Sequence, residues 1–189
     1  SRERSADSLR DTMVSNLEEL QRMSVLVNDM LFLSQADRGA IARRGEPVQL
    51  SALVQQVLEF HEAPLEEAGL RVSIEGDATL PVDEALVKRA ISNLLGNATR
   101  FAQRGSTVVV RITPEMVDAK QQVQVLVQND GPAIEPTDLP RLFDRFFRGD
   151  ESRCCPNDVQ HHGLGLAIVA AIARMHAGRP LAESAAGTT

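Results

Sequence analysis

Residues 5–38 carry an apolar repeat that only a helix can use. Met13, Leu17, Leu20, Ser24, Val27, Leu31 and Ser34 recur at alternating spacings of four and three, a heptad seam interrupted only by its two serines. Met23, Leu26, Met30 and Leu33 form a second apolar stripe beside it. A helix with two such stripes requires two neighbours, as in a helical bundle. The 189 residues hold one helix of that bundle, so the others are expected from a segment outside them or from a second copy. Gly39, in Arg38-Gly39-Ala40, stands where a helix C-terminus favours glycine.

Beyond the helix the pattern changes, and the chain divides into 1–38, a linker at 39–45 and a domain at 46–189. Around that junction, residues 39–49 contain Gly45 and Pro47 and read as irregular. Ser51 is expected to cap a helix running to about Ala68, with Leu53, Val54, Val57, Leu58 and Leu65 on its apolar face. Leu70–Glu75 alternates like a strand, and Asp83 is placed to cap a helix over 84–102. Thr107–Thr113 and Gln122–Asn129 read as paired strands, with Val123, Val125 and Val127 on one face. Pro136–Phe147 is expected to hold a short helix, 148–162 a polar loop, Gly163–Ala177 a helix and Gly178–Glu183 a strand. Mixed helices and antiparallel strands of this kind make an α+β layered sandwich.

Composition removes several functions. Twenty basic against 26 acidic residues leave a net charge of −6, which argues against a nucleic-acid surface. No run of about 18 apolar residues is present to span a membrane, and no secretory leader pattern opens the chain. Two cysteines do not make a disulfide framework.

Three stretches carry chemistry. In Asn93-Leu94-Leu95-Gly96-Asn97-Ala98-Thr99-Arg100-Phe101, Asn93, Asn97 and Arg100 fall on one helix face. An amide oxygen can ligate a hard cation and a guanidinium can grip phosphate oxygens; a solvated polar face is the plain alternative. In Val127-Gln128-Asn129-Asp130-Gly131-Pro132-Ala133-Ile134 a strand runs into a turn. In His161-His162-Gly163-Leu164-Gly165-Leu166 two glycines open an apolar helix, and the free N–H groups of such a start form an anion site. No Gly-Lys-Ser/Thr follows, so this is not a Walker A loop.

The order and spacing of these stretches, with Leu142-Phe143-Asp144-Arg145-Phe146-Phe147-Arg148 between the second and third, resemble the N, G1, F and G2 boxes of sensor histidine kinases of two-component systems. The resemblance covers nearly the whole chain. Ser8–Asp37 looks like the second helix of the dimerisation and phosphotransfer bundle, with wording closest to heavy-metal (copper or silver) sensors, and 46–189 looks like the catalytic ATP-binding domain of GHKL-type fold, helices packed on a mixed sheet. The resemblance implies Mg²⁺ on Asn97, support from Asn93, phosphate contact from Arg100 and an adenine pocket lined by Phe101. It places Asn129 where the adenine amino group is recognised, with Gly131 giving the close turn. Phe143 and Phe147 would anchor a lid at 148–162 and Arg148 would reach phosphate when it closes. Gly163, Leu164, Gly165 and Leu166 would hold the phosphates, and Thr188 would touch adenine.

It further implies ATP and Mg²⁺ as cofactors, a homodimer through the bundle, a response regulator as partner and a cytoplasmic position in a bacterial inner-membrane protein. The membrane would be reached only through segments N-terminal to this chain. The sequence departs from the family in four ways. None of His61, His161, His162 and His176 has the acceptor context of a His followed by Glu and Pro. Asn129 replaces the usual aspartate and Ala133 a glycine. His161 replaces the first glycine of its run, and the strand expected after Gly187-Thr188-Thr189 is absent. Two other readings stay open: a GHKL-type ATP hydrolase, which would need a general base at the place Asn93 occupies, and a non-catalytic nucleotide-sensing or scaffold domain. Cys154-Cys155 read as free thiols, with a zinc set formed with His161-His162 as the lesser alternative. His61 and His176 read as helix-surface residues.

Overall fold

The structure, a computed structural model, describes residues 6–117, 120–149 and 162–185. Helix α1 (Ala6–Asp37) is followed by strand β1 (Pro47–Gln49), helix α2 (Leu50–Glu67), strands β2 (Arg71–Gly76) and β3 (Thr79–Pro81), and helix α3 (Glu84–Phe101). Strands β4 (Thr107–Val117) and β5 (Lys120–Gln128), a 3₁₀ turn at Leu139–Arg141 and helix α4 (Gly165–Met175) complete it. β2 pairs parallel with β4, β4 pairs antiparallel with β5, and β1 pairs antiparallel with β3 in a separate two-stranded ribbon. The result is an α+β fold with a mixed sheet behind a long N-terminal helix, as expected.

The sheet buries one face. Val108, Val110 and Ile112 alternate along β4 and meet Leu53, Val54 and Val57 of α2 and Ile91, Leu95 and Ala98 of α3, following the two-residue period of a strand and the three-and-four period of a helix. A second cluster joins α1 to the domain: Leu33 packs with Leu164, Ala167, Ile168, Ala171 and Ile172, flanked by Leu26, Phe32, Ala36, Leu86 and Ala90. Only the C-terminal half of α1 contributes. Met13, Leu17, Leu20, Val27 and Leu31 of the heptad seam are each more than half exposed.

Several local expectations change. α2 begins one residue before Ser51, and no side chain caps it from its N-cap Gln49. Instead Asp77 caps it across the fold, accepting from the Ser51 N–H at 2.9 Å and from Gln49 Nε2 at 2.7 Å. The Ser51 bond foremost holds the Asp77 carboxyl below its ordinary range. Pro136–Phe147 forms only the three-residue 3₁₀ turn, because Pro136 and Pro140 supply no N–H and the segment closes on short bonds such as Arg141 N to Asp138 O. Gly178–Glu183 is not a strand; an isolated bridge occurs at Ala185. Residues 47–49, read as irregular, are β1. The stretch before it is pinned: Ala42 N–H donates to Met175 O, Gly45 N–H to Val82 O, and an Arg44 guanidinium N–H to His176 O. Asp83 caps α3 as expected, its carboxylate accepting from Leu86 N–H. Among the described residues no helix is long and apolar enough to cross a membrane.

Candidate functional site

Helix α3 forms the spine of the site. Ile91, Leu95 and Ala98 face the core, which turns Asn93, Asn97 and Arg100 away from the sheet, each partly exposed. Asn93 is fixed by its own turn, its Nδ2 donating to Arg89 O at 2.8 Å. Its oxygen is left facing α4: a β-carbon at Gly165 would stand 2.9 Å from Asn93 Oδ1. Glycine at 165 is therefore what allows α3 and the start of α4 to approach this closely. At the other end of α3, the Arg100 guanidinium lies 4.7 Å over the Phe101 ring.

The turn after β5 closes on the same end. Asn129 is the one buried polar residue of the described set, 6% exposed. Its Nδ2 finds no hydrogen-bond acceptor among the described residues. Gly131 lies against the end of α3, where a β-carbon would stand 2.5 Å from Phe101 O and 3.0 Å from Asn129 Nδ2. A buried amide donor without a partner costs on the order of 1–3 kcal/mol, and a bound ligand is one way to recover it.

The third wall is the N-terminus of α4. Leu164 precedes it without a side-chain cap, and its first turn holds no acidic residue. The first N–H groups of a helix have no intrahelical acceptor and carry the positive end of its dipole, so this end suits an anion. Gly163 takes φ +68°; a β-carbon there would stand 2.8 Å from Phe147 O. The Phe146 N–H donates to Gly163 O at 2.9 Å, and the Arg141 guanidinium lies 4.6 Å over the Phe147 ring.

Asn93 thus meets Gly165, Gly131 meets both Phe101 and Asn129, and Phe147 meets Gly163. Phe143 and Arg148 are partly buried in the same segment as Phe147. The Leu164 side chain belongs to the second core, which leaves its backbone alone to serve a ligand. Thr188, His161, Cys154 and Cys155 lie outside the described residues. Among the described residues no three His, Cys, Asp or Glu side chains gather as a metal site. Asn97 offers one neutral oxygen, which fits a Mg²⁺ that keeps its waters and is carried mainly by phosphate oxygens.

The two described helix histidines are structural. His61 Nε2 lies 2.8 Å from Ser92 Oγ between α2 and α3, and burial lowers its pKa. His176 Nε2 accepts from Asp83 N–H at 3.2 Å while Nδ1 lies 2.9 Å from Ile172 O, joining the end of α4 to the start of α3. Both were expected at the surface; a contact between elements distant in sequence leaves no local mark. Arg89 and Arg145, which hold α1 through Asp29 and Asp37, were also missed. Their only sequence signal is opposite charge on segments that the apolar pattern does not pair.

The family described as Histidine kinase-, DNA gyrase B-, and HSP90-like ATPase matches residues 82–189. Sensor histidine kinase CusS of Escherichia coli K12 is 44% identical over 179 residues, covering 94% of this chain and 36% of that protein; the chain thus spans little more than a third of that relative. Among solved structures, the Acinetobacter baumannii histidine kinase AdeS superposes with a TM-score of 0.74 at 23% identity, covering 99% of this chain and 82% of that one. Full-length ShkA in complex with AMPPNP gives 0.71 at 24% identity, covering 99% and 38%; at these identities the two likenesses speak for the fold. Three walls built from α3, the Asn129–Gly131 turn and the α4 N-terminus, together with the match over 82–189, place this chain in the histidine kinase-, DNA gyrase B- and HSP90-like ATPase family.

Proposed function

We propose that this chain binds Mg-ATP between α3, the Asn129–Gly131 turn and the start of α4. From there it presents the γ-phosphoryl group to a histidine on a bundle helix outside these residues, for onward transfer to an aspartate of a response regulator. The observation that carries the reading is the uncapped α4 N-terminus with Gly165 set against Asn93. Phosphoryl transfer needs little covalent help from the protein; it needs positioning and charge neutralisation. The backbone N–H groups at Gly165 and Leu166 would bind phosphate, with Gly163 keeping the approach open, and Arg100 and Arg148 would add positive charge. Asn97 would contribute its oxygen to Mg²⁺, whose chemistry when bound is to offset phosphate charge. Phe101 would line the adenine pocket. Asn129 would meet the adenine amino group with its oxygen, after an amide flip that the unpartnered Nδ2 does not oppose. Phe143 and Phe147 would anchor the lid, and Thr188 would touch adenine.

Hydrolysis is the weaker reading. The place of a general base holds Asn93, an amide already donating to Arg89 O, and an amide cannot take a proton from water at neutral pH. The CusS likeness supports a heavy-metal sensor subtype, a homodimer through the bundle and a cytoplasmic position in a membrane sensor. The test is labelled ATP. The chain alone is expected to retain no acid-labile label, and to label a separately supplied bundle fragment bearing the acceptor histidine. Label retained on His61, His161, His162 or His176, or none passed to the fragment, would overturn the proposal.

A further inference from the structure

Two arginines of the ATPase domain hold the end of α1. Arg89 of α3 donates to Asp29 Oδ1 at 2.5 Å, and its guanidinium lies 4.2 Å over the Phe32 ring. Arg145 donates to Asp37 Oδ2 at 2.5 Å and reaches Leu33 O at 3.5 Å. Leu33, between these two grips, is buried against Leu164 and Ile168. At about 100° per residue, Leu26, Asp29, Phe32, Leu33, Ala36 and Asp37 lie on the side of α1 opposite the heptad seam.

Arg145 differs from Arg89 in where it sits. It directly precedes Phe146, a non-glycine residue at φ +62°, and Phe146 N–H is bonded to Gly163 O. Gly163, also at positive φ, leads through Leu164 into the first turn of α4. A left-handed backbone at a bulky residue persists only while its surroundings fix it. Here the fixing contacts are Gly163 on one side and, through Arg145, the Asp37 carboxylate of α1 on the other.

We propose that Arg145 is a positioning residue that links docking of α1 to the geometry of the anion-binding turn at Gly163–Leu166. The inference rests on the nucleotide reading of that turn. With Arg145 held by Asp37, Phe146 keeps its left-handed conformation and Gly163 its place. With Arg145 released, Phe146 relaxes, the Gly163 peptide follows, and the N–H groups of Gly165 and Leu166 lose their common aim. The linkage is reciprocal: whatever docking adds to nucleotide affinity, nucleotide adds to docking.

Mg-ATP titrations and hydrogen exchange on this chain test it, with circular dichroism to establish folding. Asp37→Asn, a change outside the site, is expected to weaken Mg-ATP binding about threefold, within what a half-exposed ion pair can supply. Arg145→Gln should weaken it equally, the double variant no further, and the exchanged pair Asp37→Arg with Arg145→Asp should restore it. Mg-ATP should slow exchange over Asp29–Asp37 in the parent and less so in Asp37→Asn. Asp37→Asn that titrates like the parent, or weakening by Arg145→Gln alone, overturns the linkage while leaving the site reading intact. A parent that binds no Mg-ATP overturns both.

Discussion

Asn93 and Asn97 share a helix face and an amide group, yet their surroundings separate them. Asn93 spends its donor on Arg89 O and turns its oxygen toward Gly165, whereas Asn97 keeps a partly exposed amide on the outer face. The difference was not legible in the sequence, which placed both on one face through spacing alone. His61 illustrates the same limit. Its position on α2 was clear, but its contact with Ser92 of α3 depends on how two helices pack. That contact has a consequence in pH. Burial lowers the His61 pKa, so below about pH 6.5 the unfolded chain binds a proton that the folded chain resists. The contribution of His61 to stability is therefore full above the unfolded pKa and declines as pH falls from there through the depressed folded value. Urea unfolding at pH 7.0 and 5.5 should show a smaller acid loss for His61→Gln than for the parent. Equal losses would place the acid sensitivity elsewhere.

At the scale of elements, periodicity served well wherever one face is buried. The Leu53, Val54 and Val57 spacing marked α2 and the Val123, Val125 and Val127 alternation marked β5; the heptad marked α1 although its seam stays exposed, and Asp83 marked the start of α3. It failed where backbone partners are remote: β1 and β3 are three-residue strands that pair with each other across 30 residues of chain, and Asp77 caps α2 from 26 residues away. Proline chemistry decided the stretch at 136–147 against a helix. The seam of α1 was legible, but its docking face was not, because Leu33 belongs to the lesser of the two apolar stripes. Leu33 is 2% exposed among Leu164, Ile168 and Ile172. Leu33→Ala should cost about 2–5 kcal/mol, the range for a buried leucine. Leu17→Ala, on the 57% exposed seam, should stay within about 0.5 kcal/mol at concentrations where the chain is monomeric. Denaturant titration of both variants is the check, and equal costs would mean that α1 does not dock through Leu33.

For the whole molecule, one long helix and one ATPase-family domain meet, among the described residues, through a small core and two ion pairs. The helix leaves its seam exposed on the opposite side. An acidic balance and a site whose positive character is local, from one helix N-terminus and nearby arginines, suit a small polyanion better than an extended one. The candidate site was legible as residue types in order. What was not legible was their approach: Gly165 against Asn93, Gly131 against Phe101, and the unpartnered Asn129 amide. Everything proposed of the site depends on nucleotide binding there with Mg²⁺. Calorimetric titration of ATP into the parent and into Asn97→Ala, each with and without Mg²⁺, measures that directly. Alanine is the best helix former, so α3 should tolerate the change, with circular dichroism as the check. The expected result is Mg²⁺-dependent binding by the parent and loss of that dependence in Asn97→Ala. Binding indifferent to Mg²⁺, or an Asn97→Ala variant that binds Mg-ATP as the parent does, would contradict the account.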